Sequence, residues 1–254
     1  MIGLILARKN SKGLPGKHLL PLAGKPLLHH VGEKAMSVLY HVYLSSDSEE
    51  ILEAGKEIGL HPILRPSELA QDNTPAIHAI RHALNFIDDK DICLLNSCCP
   101  LMSKEDILEA IRTFKGKQAD AVVSVIEDKM CHPSKVCITS DPNKPVQFGS
   151  GHNERQLLEK TYRRNAAIYV FKRSVAENYD TLWESPKTYI SVMPMERSVD
   201  LNNGFDFHLC ELLIKHPYRF IGKNYVVAVA NPNFESNTRP GRSWRPPEAI
   251  EKLI

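Results

Sequence analysis

Ile2-Gly-Leu-Ile-Leu-Ala-Arg-Lys-Asn-Ser-Lys-Gly-Leu-Pro-Gly-Lys17 joins a short apolar run to a cationic, glycine-bearing loop. The run from Ile2 to Ala7 has the character of a strand buried on both faces of a parallel sheet. The loop then leaves that strand at its C-terminal end, the edge where open α/β sheets bind ligands. Gly13 and Gly16 can turn backbone N–H groups toward an anion, and Arg8, Lys12 and Lys17 add three cations within ten residues. The stretch reads as a triphosphate cradle, with a solvated basic turn as the plainer alternative.

Known phosphate loops bound this reading. A Walker loop needs four residues between its glycines and a Ser or Thr after the lysine, whereas two residues separate Gly13 from Gly16 and His18 follows Lys17. The dinucleotide pattern G-x-G-x-x-G does not follow the first strand either.

The rest of the chain supplies a matching scaffold. Strand and helix patterns alternate without repeats: Pro26 to Leu39 at helical spacing, a strand at His41–Ser45, and cap and acidic residues from Ser46 to Glu50. Further strands are expected at His61–Leu64, Ile92–Leu95 and Ala121–Val125. Helices are expected at Pro75–Leu84, from Ser103 with a capping-box start, and from Phe205 to Lys215. That alternation predicts an α/β fold, a mostly parallel sheet with helices on both faces. The span 141–163 is rich in loop-forming residues, and 223–254 reads as an extended tail after a domain over 1–222.

Composition excludes several classes. The 254 residues, 43% hydrophobic with a net charge of +2, suit one large domain and give no global reason for a nucleic-acid or membrane partner. No apolar run approaches the roughly 20 residues of a membrane span, so a soluble cytoplasmic protein is expected. The six cysteines form no C-x-x-C pair and are expected reduced. His78 and His82 lie four apart on a predicted helix without a third ligand nearby, which favours an ordinary helix face.

The loop also resembles the opening signature A-R-x-x-S-K-G-x-P-x-K-N of the acylneuraminate cytidylyltransferases, the CMP-sialic acid synthetases and their relatives. Ala7, Arg8, Ser11, Lys12, Gly13, Pro15 and Lys17 match, and His18 stands where that family has a nucleotide-holding asparagine. Other stretches follow in the same order. Arg65-Pro-Ser-Glu-Leu-Ala-Gln-Asp72 resembles a segment whose arginine lies near the cytosine, and Cys131-His-Pro-Ser-Lys135 resembles H-P-x-K. Arg155-Gln156 resembles R-Q, Arg163-Arg-Asn165 resembles R-x-N, and Glu196 to Asn202 resembles E-x-S-x-D-I-D.

The resemblance implies a Rossmann-like nucleotide-diphosphosugar transferase fold and transfer of CMP from CTP to an acidic 2-keto-3-deoxy sugar. It implies that Arg8, Lys12 and Lys17 serve the phosphates, that Ala7, Ser11, Gly13 and Arg65 join them around the nucleotide, and that Asn96, Lys135, Arg155, Arg163 and Asn165 serve the sugar. Asp200 and Asn202 would hold Mg²⁺, and 141–163 would form the arm of a homodimer. Asp47 and Asp72 have a plainer reading as helix caps, as do Asp200 and Asn202. The departures are His18, Ala76, Asn96 for glutamine, Ala166 for glycine and Asn202 for aspartate. They leave open another nucleotide, a sugar phosphate, or a binding protein without turnover.

Overall fold

A computed structural model describes residues 1–128, 131–135, 137–138, 146–147, 159–216, 219–220 and 226–227. Residues Met1–Lys215 form one compact unit and His216–Ile254 a second. Its centre is a seven-stranded sheet built from β1 (Ile2–Leu6), β2 (Val42–Ser46), β3 (His61–Leu64), β4 (Asp91–Asn96), β5 (Ala121–Glu127), β6 (Tyr162–Lys172) and β7 (Thr188–Val192). The spatial order is β3-β2-β1-β4-β6-β5-β7. All neighbours pair in parallel except β6, which runs antiparallel to both β4 and β5. A mostly parallel sheet is therefore present, with one reversed strand that the periodicity does not announce.

The helices cover both faces, as the alternation predicts. α1 (Leu27–Met36), α2 (Glu49–Glu57) and α4 (Lys104–Gly116) bury Leu28, Val31, Ile51, Ile107 and Phe114 in one apolar layer with Ile5, Leu44 and Val170. α3 (Ala76–Leu84) and α5 (Arg173–Asn178) bury Ile77, Ile80 and Val175 in the other, with Leu4, Ile92 and Phe171. β1 thus has core on both sides, which explains its unbroken apolar run. Ser103 begins α4 with the expected capping box, closed by Asp106. Pro62 is tolerated in β3 because that strand is a sheet edge.

A third, smaller apolar cluster positions the site. Leu22, Leu27, Leu201 and Cys210 are buried together, with Leu14 of the cationic loop and Val199 packed against them. It joins the loop after β1 to the segment before α6 (Gly204–Lys215). Two stretches almost 190 residues apart in sequence thus share one support.

Candidate active site

The sheet order reverses beside β1: the chain builds β2 and β3 on one side, then crosses to β4 on the other. The crevice at the C-terminal ends of β1 and β4 is therefore the topological switch point, where ligands bind in this architecture. A cavity of about 320 Å³ opens there, lined among others by Arg8, Ser11, Lys17, His18, Arg65 and Asp72.

The two loop glycines are required for different reasons. Gly16 sits at φ 65° and ψ 13°, the left-handed region that glycine occupies without strain. Gly13 is needed for close approach, because a Cβ there would lie 1.9 Å from the backbone oxygen of Asn202. Lys17 reinforces the same junction: its Nζ donates to Leu201 O at 2.8 Å, in a side chain that is almost wholly buried. Lys17 thus ties the loop to the Asp200 segment while lining the cavity, a different use of its charge from the phosphate contact expected of it.

The other two cations converge on one carboxylate. Arg8 Nη1 lies 2.7 Å from Asp72 Oδ1 and Lys12 Nζ lies 3.0 Å from Asp72 Oδ2. The Lys12 ammonium foremost, and then Arg8, hold the Asp72 carboxyl below its usual range. Asp72 is therefore no helix cap, since the cap position of α3 is Pro75. Asp47 is not one either: Ser48 occupies the cap position of α2, while Asp47 Oδ1 accepts from Lys9 N at 2.9 Å and faces the Arg65 guanidinium at 3.8 Å. Ala7 is fully buried and extends the sheet through its N–H to Ser45 O at 3.0 Å.

His18 and Arg65 form the deep wall of this cavity. His18 is 2% exposed, and its Nδ1 and the Nε of Arg65 are buried without a hydrogen-bond partner among the described residues. Burial, and then the charges of Lys17, Arg65 and Arg8, push the imidazole pKa down to about 3. The ring is neutral near pH 7. Two unsatisfied buried polar atoms beside one cavity are uncommon in a wall that serves only packing.

Two further cavities, each of about 430 Å³, continue along the same edge. The first is largely apolar, lined by residues such as Leu6, Ile80 and Trp183, with Asn96 and Arg164 as polar members. Asn96 Oδ1 accepts from Cys98 N at 3.0 Å, which orients its amide at the strand end. The second is lined by Arg163, Arg164, Ser198, Asp200, Asn202 and others. Between them β6 bulges: register slips between Arg164 and Tyr169, and Ala166 takes φ 56°, a conformation easier for the glycine that the resemblance places there.

The remaining candidates separate. Asn165 is 3% exposed with its amide fully engaged: Nδ2 donates to Ser198 Oγ at 2.8 Å and to Met193 Sδ, and Oδ1 accepts from Ser124 Oγ at 2.6 Å. Contrary to the expectation of a sugar contact, it holds the bulge to β5 and the Asp200 segment. Arg163 Nε is paired with Asp128 Oδ2 at 3.0 Å. Lys135 stands in a short 3₁₀ turn, Pro133–Lys135, and is not among the residues lining these three cavities. Arg155, most of the expected arm and all of the 223–254 tail except 226–227 lie outside the described residues.

Asp200 and Asn202 are free of the capping duty that offered their plainer reading. α6 is capped by Asn203, whose Oδ1 accepts from Asp206 N at 3.0 Å while Asp206 Oδ2 accepts from Asn203 N at 3.2 Å. The carboxylate of Asp200 has no hydrogen bond or ion pair among the described residues, and the side-chain amide of Asn202 donates there only to Asp200 O, at 3.2 Å. No group of three or more His, Cys, Asp or Glu suited to a metal ion occurs among the described residues. The donors fit Mg²⁺ held by one carboxylate with substrate phosphates and water, and they do not fit an all-protein metal cage. Cys93, Cys98, Cys99 and Cys210 are buried free thiols and Cys131 an exposed one.

Fold and site define an α/β protein with a cationic, glycine-bearing loop at its switch point, apposed to a carboxylate that has no partner among the described residues. The chain belongs to the cytidylyltransferase family, whose model matches residues 2–208. It is 30% identical over 213 residues to an N-acylneuraminate cytidylyltransferase of Streptococcus agalactiae serotype V, covering 81% of this chain and 51% of that protein. It is 26% identical over 223 residues to a pseudaminic acid cytidylyltransferase of Campylobacter jejuni, covering 84% of this chain and 95% of that protein. The chain spans about half the length of the N-acylneuraminate relatives. In fold it is similar to CMP:2-keto-3-deoxy-manno-octonic acid synthetase complexed with CTP, at TM-score 0.65 and 17% identity over 84% of this chain and 98% of that one. No helix among the described residues is long and apolar enough to cross a membrane.

Proposed function

We propose that the protein transfers the cytidylyl group of CTP to an acidic 2-keto-3-deoxy sugar of the sialic acid class, releasing pyrophosphate. The observation that carries this reading is the contact between the cationic loop and the Asp200 segment, made by Gly13 against Asn202 O and by Lys17 Nζ on Leu201 O. It brings the loop's cations and a carboxylate with no partner among the described residues to one edge of the sheet. The relatives named above supply the nucleotide and the sugar class.

In the proposed reaction the sugar 2-hydroxyl oxygen attacks the α-phosphorus, a new P–O bond forms, and the α–β bond breaks with its electron pair leaving on pyrophosphate. The hydroxyl proton passes to solvent. Arg8 and Lys12 exchange Asp72 for the β- and γ-phosphates, and so neutralise charge on the leaving group. His18 and Arg65 bound the nucleotide on its buried side. Asn96 stands at the apolar cavity that receives the sugar. Asp200 would hold Mg²⁺, with the Asn202 carbonyl oxygen as a neutral second donor, and the ion would supply charge neutralisation on the phosphates when bound.

Pyrophosphate release should be measured with CTP, UTP, ATP and GTP against N-acetylneuraminic, pseudaminic, legionaminic and 2-keto-3-deoxy-octulosonic acids and a sugar 1-phosphate. Turnover with CTP and an acid sugar is expected. Turnover confined to a sugar phosphate, or to another nucleotide, overturns the reading. We also propose a homodimer as the active unit, by the commonness of two-fold pairing and the resemblance of 141–163 to an arm. Light scattering that finds a fully active monomer refutes it.

A further inference from the structure

Among the described residues up to Lys215, one arginine has no acceptor. Arg8 is bound to Asp72, Arg65 faces Asp47, and Arg81 donates to Ala176 O and Tyr179 O. Arg112, Arg163, Arg173 and Arg197 each meet a carboxylate. Arg164 makes no hydrogen bond or ion pair and is held by a ring instead, its guanidinium carbon 5.5 Å from the centroid of Trp183. A guanidinium over an indole is oriented by the ring quadrupole, yet every one of its N–H donors stays available at its edges.

Its placement is as informative as its freedom. Arg164 lies at the start of the β6 bulge and, with Ala166, lines both the largely apolar cavity and the one that contains Asp200. Its neighbour Arg163 lines the Asp200 cavity but not the apolar one, and its Nε is committed to Asp128. Three carboxylates share the cavities with Arg164, of which Asp206 is taken up by the N–H groups of Asn202 and Asn203. Asp180 in the apolar one is almost fully exposed, and its nearest cation is Arg81 Nη2 at 3.6 Å, whereas Asp200 faces the other.

On the reading given above, we propose that Arg164, braced on Trp183, receives the carboxylate of the acid sugar through a bidentate pair and so sets the position of the attacking hydroxyl. In the cyclic hemiketal form of a 2-keto acid sugar the carboxylate is attached to the anomeric carbon that bears the nucleophilic 2-hydroxyl. A clamp that straddles the two cavities fixes that hydroxyl on the Asp200 side while the rest of the sugar fills the apolar cavity. A fork of donors suits a carboxylate, and lysine offers only a point charge. The clamp selects acid sugars and rejects neutral ones, because a neutral ligand leaves the guanidinium without an acceptor in a narrowed site.

The test uses the full chain with CTP, Mg²⁺ and whichever acid sugar of the panel above the wild type turns over best, together with the methyl ester of that sugar. Arg164→Ala should raise KM for the sugar about 10- to 100-fold, the range of a charged hydrogen-bonded pair, and leave KM for CTP within about twofold. Arg164→Lys should recover part of the loss. Wild type should discriminate against the ester, and Arg164→Ala should show no further loss with it, since the interaction is already absent. A CTP-induced rise in melting temperature in Arg164→Ala establishes that the variant is folded. An unchanged sugar KM in Arg164→Ala, or equal discrimination against the ester by wild type and variant, overturns the clamp while leaving cytidylyl transfer in place. A wild type that binds CTP yet turns over no acid sugar overturns the parent reading, and the clamp with it.

Discussion

Replacing Gly13 with alanine should disable the proposed cytidylyl transfer by displacement, without touching a charge. The added Cβ would lie 1.9 Å from Asn202 O and 3.1 Å from its carbonyl carbon, whereas a carbon and a carbonyl oxygen approach no closer than about 3.3 Å. The two segments must therefore part by more than about 1 Å, and the partner is backbone, which cannot swing aside. That backbone is held on several sides: Leu201 N donates to Cys98 O at 2.8 Å, Asn202 N to Asp206 Oδ2 at 2.9 Å, and Lys17 binds Leu201 O. Relief comes from the cationic loop moving off Asp200. A misplacement of about 1 Å between reacting groups lowers turnover on the order of 10²-fold, and overpacking of this kind costs about 1–3 kcal/mol of stability. The assay is pyrophosphate release at saturating CTP, read beside a thermal melt. Gly16→Ala is the comparison, because nothing lies within 4 Å of its Cβ and its cost is conformational, about 1 kcal/mol. It should lower the melting temperature by a few degrees with a much smaller loss of turnover. If Gly13→Ala keeps kcat within threefold of wild type, the contact does not organise the site.

Three other outcomes are expected. On the proposed reading CTP displaces Asp72 from Arg8 and Lys12, so in Asp72→Asn the KM for CTP should fall about two- to fivefold at low salt, the range of an exposed ion pair, and less at high salt; a rise would show that Asp72 helps to hold the nucleotide. Asp200→Ala should abolish nearly all turnover, and Asn202→Asp should lower the Mg²⁺ concentration needed for half-maximal rate, whereas wild-type Mg²⁺ dependence in both would remove the metal assignment. His18 is neutral when folded, with its pKa near 3 against 6.5 in the unfolded chain, so below pH 6.5 the unfolded state takes up a proton that the folded state does not. Stability from this residue is complete above pH 6.5 and declines toward pH 3, by at most about 1.4 kcal/mol per pH unit. His18→Asn should flatten that acid limb in melts from pH 7 to 4, and an unaltered slope would show that the ring is not buried neutral.

What the sequence carried was local. The apolar run of β1, the glycines after it and the Ser103 capping box are decided within a few residues, and each stands where its pattern places it. The reversal of β6 is not local, because its residues would pattern the same way in either direction. Its bulge leaves a faint signal in Ala166, an alanine where the resembled motif has a glycine, since only a left-handed backbone makes that difference costly.

The site divides along the same line. A motif states that Arg8, Lys12 and Lys17 are present, but whether each charge is free depends on partners 64, 60 and 184 residues away. Asp72 is the clearest case. Its spacing before α3 suits a cap, and only the folded chain shows it paired with Arg8 and Lys12. Arg163 and Arg164 make the same point at adjacent positions, since the strand turns one toward Asp128 and leaves the other over Trp183. Matching a family pattern favours the first of the pair, whereas counting acceptors favours the second. A guanidinium already paired gains from a ligand only the difference between the new bond and the one it replaces, as with Arg8 on Asp72, whereas an unpaired one gains the whole bond. The residue that binds substrate is thus better sought among groups the fold has left unpaired than among those that the pattern names.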